Sequence, residues 1–222
     1  MNGLSVCERM HQAAAPVWAS CLHHPFVTGL GDGTLAVEKF RYYMIQDYLY
    51  LLDYAKVFAL GVVKAREPEL MRAFARSVDG TLNGEMNIHR AYMKRLGISL
   101  EQAAAARPAQ DNLSYTSYML SVAHAGTTAE ITASILACSW SYAEIGRELA
   151  KRPGALEHPL FGEWIQGYSS EEYVQANGAL IEQMNRLAEG LSPAQTDHLT
   201  EIFVRCSRYE LAFWDMAWEM RA

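Results

Sequence analysis

Thr127-Thr128-Ala129-Glu130-Ile131-Thr132-Ala133-Ser134-Ile135-Leu136-Ala137-Cys138-Ser139-Trp140-Ser141-Tyr142-Ala143-Glu144-Ile145-Gly146-Arg147-Glu148-Leu149 is the stretch that decides the fold class. Ile131, Ile135, Cys138, Tyr142, Ile145 and Leu149 recur at alternating gaps of four and three, the spacing of one face of an α-helix and not the alternation of a strand. Thr127 and Glu130 stand as the N-cap and third residue of a capping box, whose side chains satisfy amides that a helix start leaves unpaired. The spacing predicts a helix over 127–151.

The same periodicity extends in both directions. It predicts helices over 4–22, 34–64, 68–96, 110–125, 159–167, 169–190 and 193–220, with a short helical turn at 99–105. Ser99 with Gln102, Ser169 with Glu172, and Ser192 with Gln195 repeat the capping pattern, and Pro193 fits a first helical position, where its missing amide costs nothing. Gly29-Leu30-Gly31-Asp32-Gly33 follows no strand and precedes no Lys-Ser/Thr pair, so it reads as a linker between helices and not as a phosphate loop. Strand-type alternation, internal repeats and shifts of composition are absent from the sequence. The expectation is an all-α, single-domain helical bundle spanning 1–222.

Of the 222 residues, 50% are hydrophobic and 20% are charged, a balance that fills a large core without lipid. A formal net charge of −6 with no run of Lys and Arg argues against a nucleic-acid partner, whose phosphates demand clustered cations. No apolar stretch reaches the roughly 20 residues of a membrane helix, and the N-terminal residues lack the basic and apolar regions of a signal peptide; the expected location is cytoplasmic. The four cysteines, Cys7, Cys21, Cys138 and Cys206, form no CxxC pair and are expected as reduced thiols.

Polar residues interrupt three apolar stripes. In the second long helix the stripe runs Phe40, Met44, Asp47, Tyr50 or Leu51, Tyr54, Phe58. In the last it runs Phe203, Cys206, Glu210, Phe213 or Trp214, Ala217. Asp47 and Glu210 should therefore point inward, where a carboxylate needs partners or protonates. Two readings stand for these acids: hydrogen bonding to nearby Tyr hydroxyls or a His, or work in a pocket. Cys138 shares its face with Tyr142 and follows the tyrosine-rich Tyr115-Thr116-Ser117-Tyr118, which suggests a lined pocket; Cys7 and Cys206 read as packing. The 12 tyrosines suit a site that stacks a flat heteroaromatic ring and offers hydroxyls to its nitrogens; Tyr42, Tyr43, Tyr54 and Tyr92 read as packing. Glu85 and His89 are spaced for one helix face, but no second pair completes a di-iron pattern, so no metal is expected. His89 and His124 are candidates to activate the thiol, although a satisfied histidine is the plainer reading of both.

Taken together, His24-Pro25-Phe26, Tyr43-Met44-Ile45-Gln46-Asp47-Tyr48-Leu49-Tyr50-Leu51, Ala55-Lys56, Glu85-Met86 with His89, Cys138-Ser139-Trp140-Ser141-Tyr142-Ala143-Glu144-Ile145-Gly146, Trp164-Ile165-Gln166-Gly167-Tyr168-Ser169-Ser170 and Glu210-Leu211-Ala212-Phe213-Trp214 resemble the TenA (thiaminase II) family in order and spacing. The resemblance implies a haem-oxygenase-like fold, a homotetramer and, because Cys138 is retained, the cysteine-type aminopyrimidine aminohydrolase of thiamin salvage. It implies Cys138 as nucleophile, Glu210 as acid and base, Asp47 as the acid that hydrogen-bonds the pyrimidine amino group and ring nitrogen, and Tyr50, Tyr115, Tyr142, Tyr168 and Phe213 as the pocket lining. It implies no cofactor and a small-molecule pyrimidine substrate. Ala137 departs from the proline that many relatives carry before the cysteine. A non-catalytic pyrimidine-binding or regulatory protein is the alternative, and an oxidative relative carrying haem or two irons is a third.

Overall fold

Serine and proline set the helix starts. In the computed structural model, which describes residues 3–221, the Ser5 hydroxyl accepts from the Glu8 amide while the Glu8 carboxylate accepts from the Ser5 amide, and this reciprocal cap opens α1 (Val6–Leu22). The elements that follow are α2 (Pro25–Asp32), α3 (Val37–Lys64), α4 (Pro68–Asp79), a π-helical segment (Gly80–Glu85), α5 (Met86–Arg95), α6 (Leu100–Ala105), α7 (Gln110–Ala125), α8 (Thr128–Leu149), α9 (Gly162–Ser169), α10 (Glu171–Leu187) and α11 (Pro193–Glu219). No strand occurs among the described residues, so the all-α expectation holds. Residues 1, 2 and 222 of the expected 1–222 domain lie outside the described residues. Two compact units make up the chain, Met1–Ala36 with Thr132–Asp215, and Val37–Ile131 with Met216–Ala222.

Helices of the first unit are fastened by buried polar contacts set into apolar surface. The Trp18 indole N–H of α1 donates to Ser207 Oγ of α11 at 3.0 Å. The Cys7 amide of α1 donates to Asn185 of α10 at 3.2 Å, and Gln183 of α10 donates to Thr132 of α8 at 3.0 Å. In the second unit, Gln46 of α3 is the equivalent fastener. It donates to the Arg107 carbonyl at 3.1 Å and accepts from the Ala109 amide at 2.9 Å, while Asn112 of α7 donates to the Gln46 carbonyl at 2.8 Å. Each bond satisfies a group that burial would otherwise penalise.

The structure corrects three expectations. The glycine-rich stretch is no linker: Pro25–Asp32 is a helix, started by Pro25 behind the His24 ring, which accepts from the Phe26 amide at 3.1 Å. Its glycines admit neighbours, since a Cβ on Gly31 would stand 2.7 Å from side-chain carbons of Leu149 and Arg152, and only Gly33, with φ +71°, needs glycine's backbone freedom to end the helix. The expected helix over 68–96 is interrupted by the π-helical segment, whose extra residue per turn re-phases the faces that follow. The Ser169–Glu172 cap falls one residue later, where Ser170 Oγ accepts from the Tyr173 amide at 3.2 Å and Ser169 closes the preceding helix by donating to the Ile165 carbonyl. Ala137 sits within an uninterrupted α8, so the missing proline leaves the helix regular.

Candidate active site

Asp47 and Glu210 are 4% and 2% exposed, which puts both carboxylates inside, on the stripes that the apolar spacing defined. Cys138 shares its stripe with fully buried neighbours yet is itself only half-buried, whereas Cys7, Cys21 and Cys206 are buried. That difference matters because a thiol reacts as the thiolate. Burial, with a smaller push from the Glu8 charge, raises Cys7 to about 12. Burial and then the charges of Glu210 and Asp215 raise Cys21 to about 12. Burial and Glu210 hold Cys206 well above the ordinary thiol range. Burial thus disfavours the thiolate at those three positions, and Cys138 is the one of the four that is not buried.

Within the first unit, α8 presents Cys138 one turn before Tyr142, at the edge of an aromatic wall. The Tyr142 ring lies 4.8 Å from Tyr168, 5.3 Å from Trp214 and 5.9 Å from Trp164, and Trp164 and Tyr168 are 4.6 Å apart. A glycine makes this wall possible, because a Cβ on Gly146 would stand 2.6 Å from the Tyr168 backbone carbon; without it α9 could not approach α8. Ser139 Oγ donates to Asn177 Oδ1 at 3.0 Å, tying the helix turn that carries Cys138 to α10. Glu210 lies one turn before Trp214 on α11, and Phe213 beside it is buried. Trp164 and Trp214, which periodicity leaves as core, pack against Tyr142 in this wall. Their signal lies in the Trp-Ile-Gln-Gly-Tyr and Phe-Trp runs, but a lone tryptophan reads as core.

Within the second unit, Asp47 is held at one oxygen. Tyr43, one turn earlier on α3, donates to Oδ2 at 3.2 Å, and His89 Nε2 meets the same oxygen at 2.5 Å. His89 Nδ1 lies 3.0 Å from the Glu85 carbonyl; a carbonyl only accepts, so Nδ1 carries hydrogen and the tautomer is set. Burial works against the charged imidazolium, but the hydrogen bond and charge of Asp47, with a contribution from Glu85, outweigh it, and the His89 pKa is raised. His89 is thus the satisfied histidine of the plainer reading, and its partner is the carboxylate. Tyr43 departs from simple packing by joining that network; its i,i+4 spacing to Asp47 is the signal that could have found it. Beyond Asp47 along α3, Tyr50 stacks 5.3 Å from Tyr54 and 5.2 Å from Tyr115 of α7, and its hydroxyl points at Met119 sulfur, 3.8 Å away. His124 is exposed, and its backbone carbonyl accepts from Lys64. Among the described residues no three of His, Cys, Asp and Glu gather to hold a metal, and no helix is long and apolar enough to cross a membrane.

The all-helical architecture is of the haem-oxygenase-like class. A Shewanella denitrificans domain of unknown function with a heme oxygenase-like fold superposes with a TM-score of 0.77 over 96% of this chain and 92% of that one, at 15% identity. The chain belongs to the TENA/THI-4/PQQC family, whose model matches residues 11–220. It is 46% identical to the aminopyrimidine aminohydrolase of Halalkalibacterium halodurans over 98% of this chain and 97% of that protein. The solved TenA homologue from P. horikoshii OT3 is 30% identical, with a TM-score of 0.88 over 97% of this chain and 99% of that one.

Proposed function

We propose that the chain is an aminopyrimidine aminohydrolase (thiaminase II) that converts 4-amino-5-aminomethyl-2-methylpyrimidine and water to the 5-hydroxymethyl pyrimidine and ammonia, and likewise releases the thiazole from thiamin, in thiamin salvage. The observation that carries this reading is the near full-length similarity to a protein of that name, joined to a chain in which Cys138 alone of the four thiols is not buried.

Direct displacement of an amine from the exocyclic carbon by water is slow, and covalent catalysis divides it into easier steps. The Cys138 thiolate adds to the pyrimidine ring, and the electron pair of the exocyclic C–N bond leaves with the amine, which takes a proton. Water then adds to the exocyclic carbon, losing a proton, and the thiolate departs as the ring regains its aromaticity. Glu210, buried among apolar side chains, supplies the proton to the leaving group and takes one from water. Asp47 accepts from the exocyclic 4-amino group. The aromatic contacts to the ring in this reading are Tyr50, Tyr115, Tyr142, Tyr168 and Phe213. No cofactor enters this scheme. The protein acts in the cytoplasm as a homotetramer, and sedimentation equilibrium checks the assembly.

Replacing Cys138 with Ser tests the reading. Ammonia release from 4-amino-5-aminomethyl-2-methylpyrimidine should fall about 1,000-fold or more, while calorimetric binding of the pyrimidine persists. Undiminished turnover in the variant would remove Cys138 from the chemistry. Binding without turnover in the wild type would make the chain a non-catalytic pyrimidine binder.

A further inference from the structure

Asp47 is engaged on one side only. Tyr43 and His89 both meet Oδ2, at 3.2 Å and 2.5 Å, and among the described residues nothing donates to Oδ1. His89 is itself fixed from behind, since its Nδ1–H donates to the Glu85 carbonyl at 3.0 Å, at the junction where the π-helical segment passes into α5. Both His89 and Asp47 are nearly inaccessible to water, at 2% and 4% exposure.

Proton counting then restricts what Asp47 can do. A backbone carbonyl and a carboxylate are both acceptors, so an imidazole spanning them must carry hydrogen on each nitrogen, or the carboxyl must carry the shared proton on Oδ2. In either case Oδ1 has no hydrogen to give. With the imidazolium beside it, the buried carboxylate is spared the cost of an unpaired charge. Without His89, burial would favour the neutral acid, and that acid could place its hydrogen on Oδ1.

We propose that His89 is a positioning residue that holds Asp47 as an acceptor at Oδ1, so that the site selects pyrimidines carrying a 4-amino group over their 4-oxo counterparts. This rests on the aminopyrimidine reading above. An amino N–H pointed at Oδ1 makes a charge-assisted bond. A 4-oxo analogue brings its carbonyl oxygen to the same place, acceptor against acceptor, and a site built around such a bond rejects the wrong partner strongly.

The experiment is calorimetric binding of 4-amino-5-hydroxymethyl-2-methylpyrimidine and of its 4-oxo analogue to the wild type, His89→Leu and His89→Gln. The wild type should prefer the amino compound by about 100-fold or more. His89→Leu should lose at least about tenfold of that preference, with the oxo compound binding no worse than before and the carbonyl stretch of a protonated carboxylic acid appearing in the infrared spectrum. His89→Gln, which can still donate a hydrogen bond to Oδ2, should recover part of the preference and serves if the leucine variant does not fold. A histidine that only packed α5 against α3 would change melting temperature and leave the amino-to-oxo ratio alone; that outcome overturns the inference and spares the substrate reading. Failure of the wild type to bind either compound overturns both.

Discussion

Cys138 differs from the other thiols in access, and access is what reagent chemistry reads. Cys7, Cys21 and Cys206 are buried, so a thiol-specific disulfide reagent should titrate one sulfur rapidly in the native protein and all four after denaturation. The Cys138→Ser variant should show no rapid phase, and a rapid phase in that variant would mean that another thiol is exposed. At Asp47 the partner is charged, and the consequence is a pH dependence of stability. His89 faces Asp47 from α3, whose Oδ2 Tyr43 also meets, and Glu85 from its own helical run, and its folded pKa is raised. A raised imidazole contributes stability that is fully present below its unfolded value, about 6.5, and is lost as pH rises through the folded value. Relative to His89→Gln, the wild type should therefore be more stable at mildly acid pH, an advantage that shrinks as pH rises through the folded value. Denaturant titrations of both proteins across that range check it, and a gap that widens with pH would refute the pairing.

Helix approach is governed by glycines that the helical pattern alone treats as weak points. Gly146 lies in the last turn of α8, where an alanine would bring a Cβ to 2.6 Å from the Tyr168 backbone carbon. Gly178 lies in the middle of α10, where an added methyl would meet nothing within 4 Å. Helix propensity favours alanine at both sites, by about 1 kcal/mol in a helix interior such as that of Gly178. Packing reverses the sign at one of them. Gly146→Ala should destabilise the protein by about 1–3 kcal/mol and raise KM by displacing Tyr168, whereas Gly178→Ala should be neutral or stabilising. Thermal denaturation of the two variants side by side decides the matter; equal shifts would show that α9 does not depend on the gap at Gly146. The π-helical segment belongs to the same scale, because the residue it adds between α4 and α5 helps determine which face of α5 carries His89.

For the whole molecule, ligand binding and folding are one equilibrium. A pyrimidine that binds only the folded chain stabilises it by about 2.7 kcal/mol at a hundred times its Kd, and a domain of this size gains about 2–4 °C in Tm per kcal/mol. The wild type and Cys138→Ser should thus melt about 5–10 °C higher with saturating 4-amino-5-hydroxymethyl-2-methylpyrimidine. Asp47→Asn, which puts a neutral amide where a charged acceptor stood, should show much less of that shift at the same concentration. An undiminished shift in Asp47→Asn would remove Asp47 from ligand recognition.

Periodicity was enough to place Asp47, Glu210, Phe213 and Tyr142 on buried faces, since a helix turns through a constant angle and a polar residue in register with apolar ones must share their side. It was also enough for the all-α class and for the caps at Ser99 and Ser192, which depend on residues three apart. The break at Gly80–Glu85, the helical state of Pro25–Asp32 and the pairing of His89 with Asp47 came only from tertiary structure. A π turn keeps helical composition, a glycine is judged by what stands against it, and the two partners of a buried pair lie 42 residues apart. Local spacing contains the angle at which a side chain leaves its helix; only packing supplies the group that meets it.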